Sequence, residues 1–217
     1  MSPFESKLAK AHAWTVSQPL LHDFTWGVRI LLAIGFIPPG MIKVLGRRFT
    51  LIPPENPIGA IFEAFFQTGF YWNFLGACQV LAGLLLLVPA TATLGAALFL
   101  PILVNIFVLT VSVGFKGTPY VVGAMLLANV YLVCWDGDRF RHLLPGLGVG
   151  EWPGTVRRAQ TSGVLRLTWW AAAIGGLAVL LAIRGLASSD VVLPGLALPF
   201  VGLGLDLLRL RRRHARA

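Results

Sequence analysis

The chain has 217 residues and a net charge of +9, with 56 % hydrophobic and 12 % charged residues. Soluble domains carry roughly 25 % charged residues, so this composition excludes an ordinary soluble globular domain. The positive balance would suit nucleic acid or a membrane surface, but ten of the eighteen Lys and Arg lie between Arg139 and Arg166 or in the tail from Arg209, the arrangement of membrane-topology signals rather than of a nucleic-acid footprint.

Residues 1–25 place Lys7, Lys10, His12 and His22 among apolar positions, which predicts an amphipathic helix lying on the inner membrane surface. Six apolar runs follow, Trp26 to Leu45, Trp72 to Pro89, Thr91 to Val113, Tyr120 to Trp135, Leu167 to Ile183 and Val191 to Leu208. Most approach the roughly 20 residues that cross a bilayer core. Lipid offers the backbone no hydrogen-bond partner, so each run is expected to be a helix. Pro38-Pro39-Gly40 should kink or break the first span. The loop 46–71 opens with a turn-rich stretch, Pro53 to Pro57, and continues into Ile58 to Phe70. That segment carries the apolar spacing of a short interfacial or re-entrant helix. Pro89-Ala90-Thr91 joins spans two and three as a tight hairpin, and Lys116 to Pro119 turns into span four.

The chain thus divides into an N-terminal interfacial segment 1–25, a four-helix core 26–142, a basic loop 143–166, a terminal hairpin 167–209 and a basic tail 210–217. Gly175, Gly176, Gly202 and Gly204 suit close helix contact in that hairpin. With the N-terminus inside, thirteen basic residues lie inside and five outside, so both termini are expected in the cytoplasm. Residues 1–25 show no cleavage-type pattern, and the first span is expected to be an uncleaved anchor. All seven tryptophans fall near span ends or in flanking segments, where headgroup-depth anchors belong. Cys78 and Cys134 are expected near opposite membrane faces, too far apart for a disulfide.

Polar residues within spans are costly and therefore informative. Arg29, Ala33, Phe36, Gly40 and Lys43 share one face of span one by their spacing. Arg29 and Lys43 either snorkel to headgroups or, in a sharper reading, Lys43 turns inward and pairs with Glu63, for which Lys43, Arg47 and Arg48 are the nearby cations. Gln79, Asn105 and Asn129 either tie helices together or help to line a pocket. The pocket reading takes Lys43, Glu63, Gln79 and Asn105 as its polar groups, with Phe62, Phe65, Phe66, Phe70 and Tyr71 as an apolar wall for a quinone or lipid head. Asp206 is expected to pair with Arg209 at the inner end of span six. His12, His22, His142 and His214 all lie outside the spans, which argues against a haem held between helices, and no His, Cys and carboxylate set has metal-ligand spacing. No cofactor is expected to be covalently bound.

The stretch Arg29-Ile-Leu-Leu-Ala-Ile-Gly-Phe-Ile-Pro-Pro-Gly-Met-Ile-Lys43 resembles the first helix of DoxX-like membrane proteins, in which an Arg opens the helix and a Gly precedes a Lys near its end. FLGACQVLAGLLLLVPATATLGA, PILVNIFVLTVSVGFKGTP and LLANVYLVCWDGDR, between Phe74 and Arg139, resemble bacterial members. The resemblance covers residues 26–142 and implies an all-α fold: a polytopic membrane helix bundle with a four-helix DoxX-like core, to which the terminal hairpin adds two spans for six in all. It also implies an accessory role in a bacterial inner-membrane redox complex, with membrane lipids and other subunits as partners. Many relatives carry a Glu in span two where this chain has Gln79, a departure that removes a titratable group. Two other readings are a quinone-reactive membrane oxidoreductase, and a solute or lipid carrier with a broken first helix as its mobile element.

Overall fold

Long apolar runs bounded by Pro, Gly and charged residues form helices over nearly all of the described chain. The computed structural model describes residues 3–140 and, beyond them, helical residues 167–172, 174–175, 197–198, 200–202 and 204–208. Seven helices have defined bounds: α1 (Pro3–Val16), α2 (Pro19–Val44), α3 (Pro57–Gln67), α4 (Phe70–Leu87), α5 (Ala92–Ser112), α6 (Thr118–Trp135) and the short α7 (Gly137–Phe140). Among the described residues there is no strand. Helices α2, α4, α5 and α6 are long and apolar enough to cross a membrane. About half of the residues of the predicted last two spans lie outside the described residues.

Of the kink or break expected at Pro38-Pro39, the break does not occur. Helix α2 runs through both prolines to Val44, although neither can donate to the carbonyl one turn earlier. Neighbouring helices can support such a weakened ladder in a membrane protein, and α4 packs against α2 one residue further on, at Gly40. Helix α3 begins where the turn-rich stretch ends. The Asn56 side chain accepts from the Ile58 N–H at 2.9 Å, and Pro57 occupies the first helical position, both favourable N-terminal choices.

Two compact units divide the chain, Leu32–Val133 and Met1–Leu31 with Cys134–Ala217. In the first unit, α2 and α4 cross at a pair of glycines. A Cβ on Gly76 would meet the Gly40 carbonyl oxygen and the Lys43 Cβ at 2.6 Å, and one on Gly40 would meet the Gly76 carbonyl oxygen at 2.9 Å. Only hydrogen fits at either position, so the two backbones touch. Gly95 of α5 lies as close to α4, where an added Cβ would stand 2.7 Å from the Leu86 nitrogen. Phe36 and Phe99 pack edge to face at 4.9 Å, in a core that buries Ala82, Leu86, Ala96, Leu103 and Leu132. Large apolar side chains also cover the outside. Leu81 and Leu84 of α4, Leu94 and Val108 of α5, and Val121 and Leu127 of α6 are all exposed. Hydrocarbon, unlike water, carries no penalty for such a surface.

In the second unit, Arg29 and Asp136 form a buried ion pair at 3.4 Å, and His12 Nε2 lies 3.2 Å from the Trp135 carbonyl oxygen. His22 meets the Trp135 ring edge-on at 6.2 Å, and Phe24 meets Trp169 at 5.8 Å. Arg29 therefore turns inward rather than snorkelling. Asp206, expected to pair with Arg209, accepts from the Thr168 backbone N–H and hydroxyl, each at 2.8 Å. Arg209 lies outside the described residues.

Candidate functional site

The chemistry gathers where α2 ends. Lys43 lies one turn beyond Gly40 on the α2 face that touches α4, and Gln79 lies one turn beyond Gly76 on α4. The glycine crossing therefore brings their side chains together: Lys43 Nζ donates to Gln79 Oε1 at 2.9 Å. Both residues are buried, with Lys43 only 5 % exposed. The ammonium lies 4.5 Å from the Phe49 ring centroid and 5.2 Å from that of Trp72. Cation–π attraction of this kind strengthens as water is removed. Trp72 is itself fixed, buried and donating its indole N–H to the Arg47 carbonyl at 3.0 Å. The result is a buried cation held by an amide and two aromatic rings.

Glu63 does not join this group, and the expected Lys43–Glu63 pair is corrected. The Glu63 carboxylate accepts from Arg48 Nε at 2.8 Å and Nη2 at 2.9 Å. This two-point contact is one that lysine cannot make. Gln67, one turn along α3, donates to the same carboxylate at 2.7 Å. The Arg48 and then the Gln67 hydrogen bonds pull the Glu63 pKa down to about 2, and Glu63 in turn raises that of Arg48. The Arg48 guanidinium lies 4.4 Å from the Phe66 ring centroid. Beside it opens a cleft of about 320 Å³, lined by Arg48, Phe49, Thr50, Pro53, Phe62 and Glu63, among others.

The remaining predicted residues are scattered. Asn129 is fully buried and donates through Nδ2 to the Ala96 carbonyl at 3.0 Å, tying α6 to α5. Asn105 is the second correction. It is exposed on α5, whereas Lys43 and Gln79 are buried, and makes no side-chain hydrogen bond among the described residues. The four-residue pocket of Lys43, Glu63, Gln79 and Asn105 thus does not form. Of the other three, only Gln79 receives a hydrogen bond from Lys43, whose Nζ also lies 3.5 Å from the Pro39 carbonyl oxygen, and Glu63 lines a separate cleft. Of the expected apolar wall, Phe62 lines that cleft, Phe65 stacks on Tyr71 at 6.2 Å, Phe66 meets the edge of Trp72, and Phe70 is exposed.

Three partners escaped the sequence reading. Phe49 and Trp72 complete the Lys43 site, yet in sequence they read as a loop residue and an interfacial anchor. Asp136 pairs with Arg29, and the signal was present: Arg29 stands three residues into predicted span one and Asp136 one residue past the end of span four, both at the expected inner face.

No family model matches the chain, and no solved structure matches it. Over 84 residues it is 40 % identical to the uncharacterized protein YwoB of Bacillus subtilis (strain 168), a match covering 36 % of this chain and 54 % of that protein. The chain therefore spans about half the length of the curated relative it matches.

Proposed function

We propose that this chain is an accessory or structural subunit of a bacterial inner-membrane redox complex, quinone-linked, with six spans and both termini in the cytoplasm. One observation carries the reading. The polar groups at the α2–α4 crossing bond across it, Lys43 donating to Gln79 and lying between two aromatic rings. Such bonds fix helices in register, as a scaffold requires. Asn129 does the same between α6 and α5. The resemblance of residues 26–142 to DoxX-like proteins supports an accessory role, and the excess of basic residues in the loop 143–166 and the tail supports the orientation. The test is extraction of the native protein in mild detergent and identification of what migrates with it. A stoichiometric complex carrying haem or another redox cofactor is the expected result. A chain that migrates alone or only with its own copies overturns the reading.

The cleft beside Arg48 favours a second reading, an amphiphile-binding protein that includes the quinone-reactive oxidoreductase. A cation resting on Phe66, with Phe49 and Phe62 nearby, offers both a polar anchor and an apolar wall. Lipid and quinone released from the purified protein, compared with an Arg48→Ala variant, test it: loss of one defined amphiphile is expected, and an unchanged extract overturns it. The carrier reading draws no support from α2, which has no break at its prolines.

A further inference from the structure

The outward face of α5 carries a residue that lipid cannot satisfy. Pro101, Val104, Asn105, Val108, Val111 and Ser112 are all exposed, and their spacing puts them on one stripe of the helix. Asn105 stands thirteen residues after the first residue of α5 and seven before its last, about 20 Å and 10 Å at 1.5 Å per residue. In a hydrocarbon core of about 30 Å that depth is well inside the apolar layer. Buried Asn129 has Ala96, and Ser112, nearer the end, donates to the Val108 carbonyl at 2.8 Å. The Asn105 carboxamide makes no hydrogen bond among the described residues, and hydrocarbon supplies none.

We propose that this stripe is the contact surface for a second copy of the chain, with Asn105 against Asn105 across a two-fold axis along the membrane normal. A carboxamide both donates and accepts. Two of them related by a two-fold axis satisfy each other with a reciprocal pair of N–H···O bonds, and an isologous contact brings a residue on the axis against itself. No charge stands on the stripe to oppose a like charge on its copy. The flanking Val104, Val108 and Val111 are stiff side chains that lose little freedom on packing. Asn side chains are among those that hydrogen-bond across the contact between membrane helices. This pairing is independent of the redox reading: a dimer is equally able to stand alone or to sit within a larger complex.

The test uses the full chain in membranes, with Cys78→Ser and Cys134→Ser removing the native thiols. Val108→Cys, one turn from Asn105, and Leu84→Cys, exposed on α4, are oxidised separately with copper phenanthroline. A product of twice the chain mass is expected from Val108→Cys and not from Leu84→Cys. Adding Asn105→Val to Val108→Cys is expected to reduce that product about tenfold, the effect of one membrane hydrogen-bonded contact of roughly 1.4 kcal/mol. Asn105→Gln, which keeps the amide, is expected to retain it. Equal cross-linking at positions 84 and 108, a product unaffected by Asn105→Val, or a product joined to a different protein each overturns the proposal. Circular dichroism of the Asn105→Val variant separates loss of pairing from loss of fold, and an unfolded variant leaves the comparison of Val108→Cys with Leu84→Cys to decide.

Discussion

Lys43 and Gln79, on different helices, form a single buried contact of 2.9 Å between an ammonium and a carboxamide oxygen. The partners come from opposite sides of a glycine crossing, and the contact is shielded from solvent by Phe49 and Trp72. It makes one position on α2 answerable to one position on α4, so each residue can be tested through the other.

Replacing Gln79 by Leu removes the 2.9 Å acceptor of the buried ammonium, at an expected cost of about 2–3 kcal/mol. Replacing Lys43 by Met as well removes the need for that acceptor, and the double variant is expected to recover to within about 1 kcal/mol of the parent. Unfolding midpoints of the parent, the two single variants and the double variant in one detergent close the cycle. Costs that simply add would mean the two residues act separately.

Gly76→Ala tests the crossing itself. The added methyl would stand 2.6 Å from the Gly40 carbonyl oxygen and from Lys43 Cβ, so the helices must separate. A loss of about 1–3 kcal/mol is expected, as for other overpacked contacts. The same separation draws Lys43 from Gln79, so Gly76→Ala in the Gln79→Leu background is expected to cost less than in the parent. Equal costs in the two backgrounds would show that the crossing does not set the polar contact.

Glu63 gives a pH signature outside the spans. Its folded pKa, about 2, lies below the ordinary 4.5, so between those values the unfolded chain binds more protons and stability rises with pH. The Arg48–Glu63 contribution is full above about pH 5 and is lost as the pH falls toward 2. The unfolding midpoint of the parent is expected to drop more steeply between pH 5 and 3 than that of Glu63→Gln. Parallel pH profiles would mean the carboxylate is not held in this way.

The helices were legible in the sequence because lipid leaves an apolar chain few alternatives. The first four runs match α2, α4, α5 and α6 to within a few residues except at the start of α2, which begins at Pro19 rather than Trp26. The run there is interrupted by His22 and Asp23, yet the helix continues through them, with Asp23 buried. Ile58 to Phe70 corresponds to α3. Pairing was harder to read. Lys43 and Glu63 attract each other on paper as opposite charges, but the glycine crossing hands Lys43 to a neutral amide, and the planar fork of Arg48 outcompetes an ammonium for the carboxylate. Asn105 was misread for a different reason. Helix α5 is apolar all round, so no hydrophobic asymmetry marks its inner face. That face, through Ala96, Phe99, Leu103 and Thr110, is defined only by what packs on it.

The unbroken passage of α2 through Pro38 and Pro39 bears on the order in which the protein is assembled. The carbonyls of Ile34 and Gly35 receive no N–H from those prolines, so the last turns of α2 rest less on their own ladder than on Gly76 and Gln79 of α4. Those residues leave the ribosome more than thirty positions after Lys43. The full set of contacts that supports the end of α2 is therefore available only once α4 has been made, and the Lys43–Gln79 bond is the polar mark of that meeting.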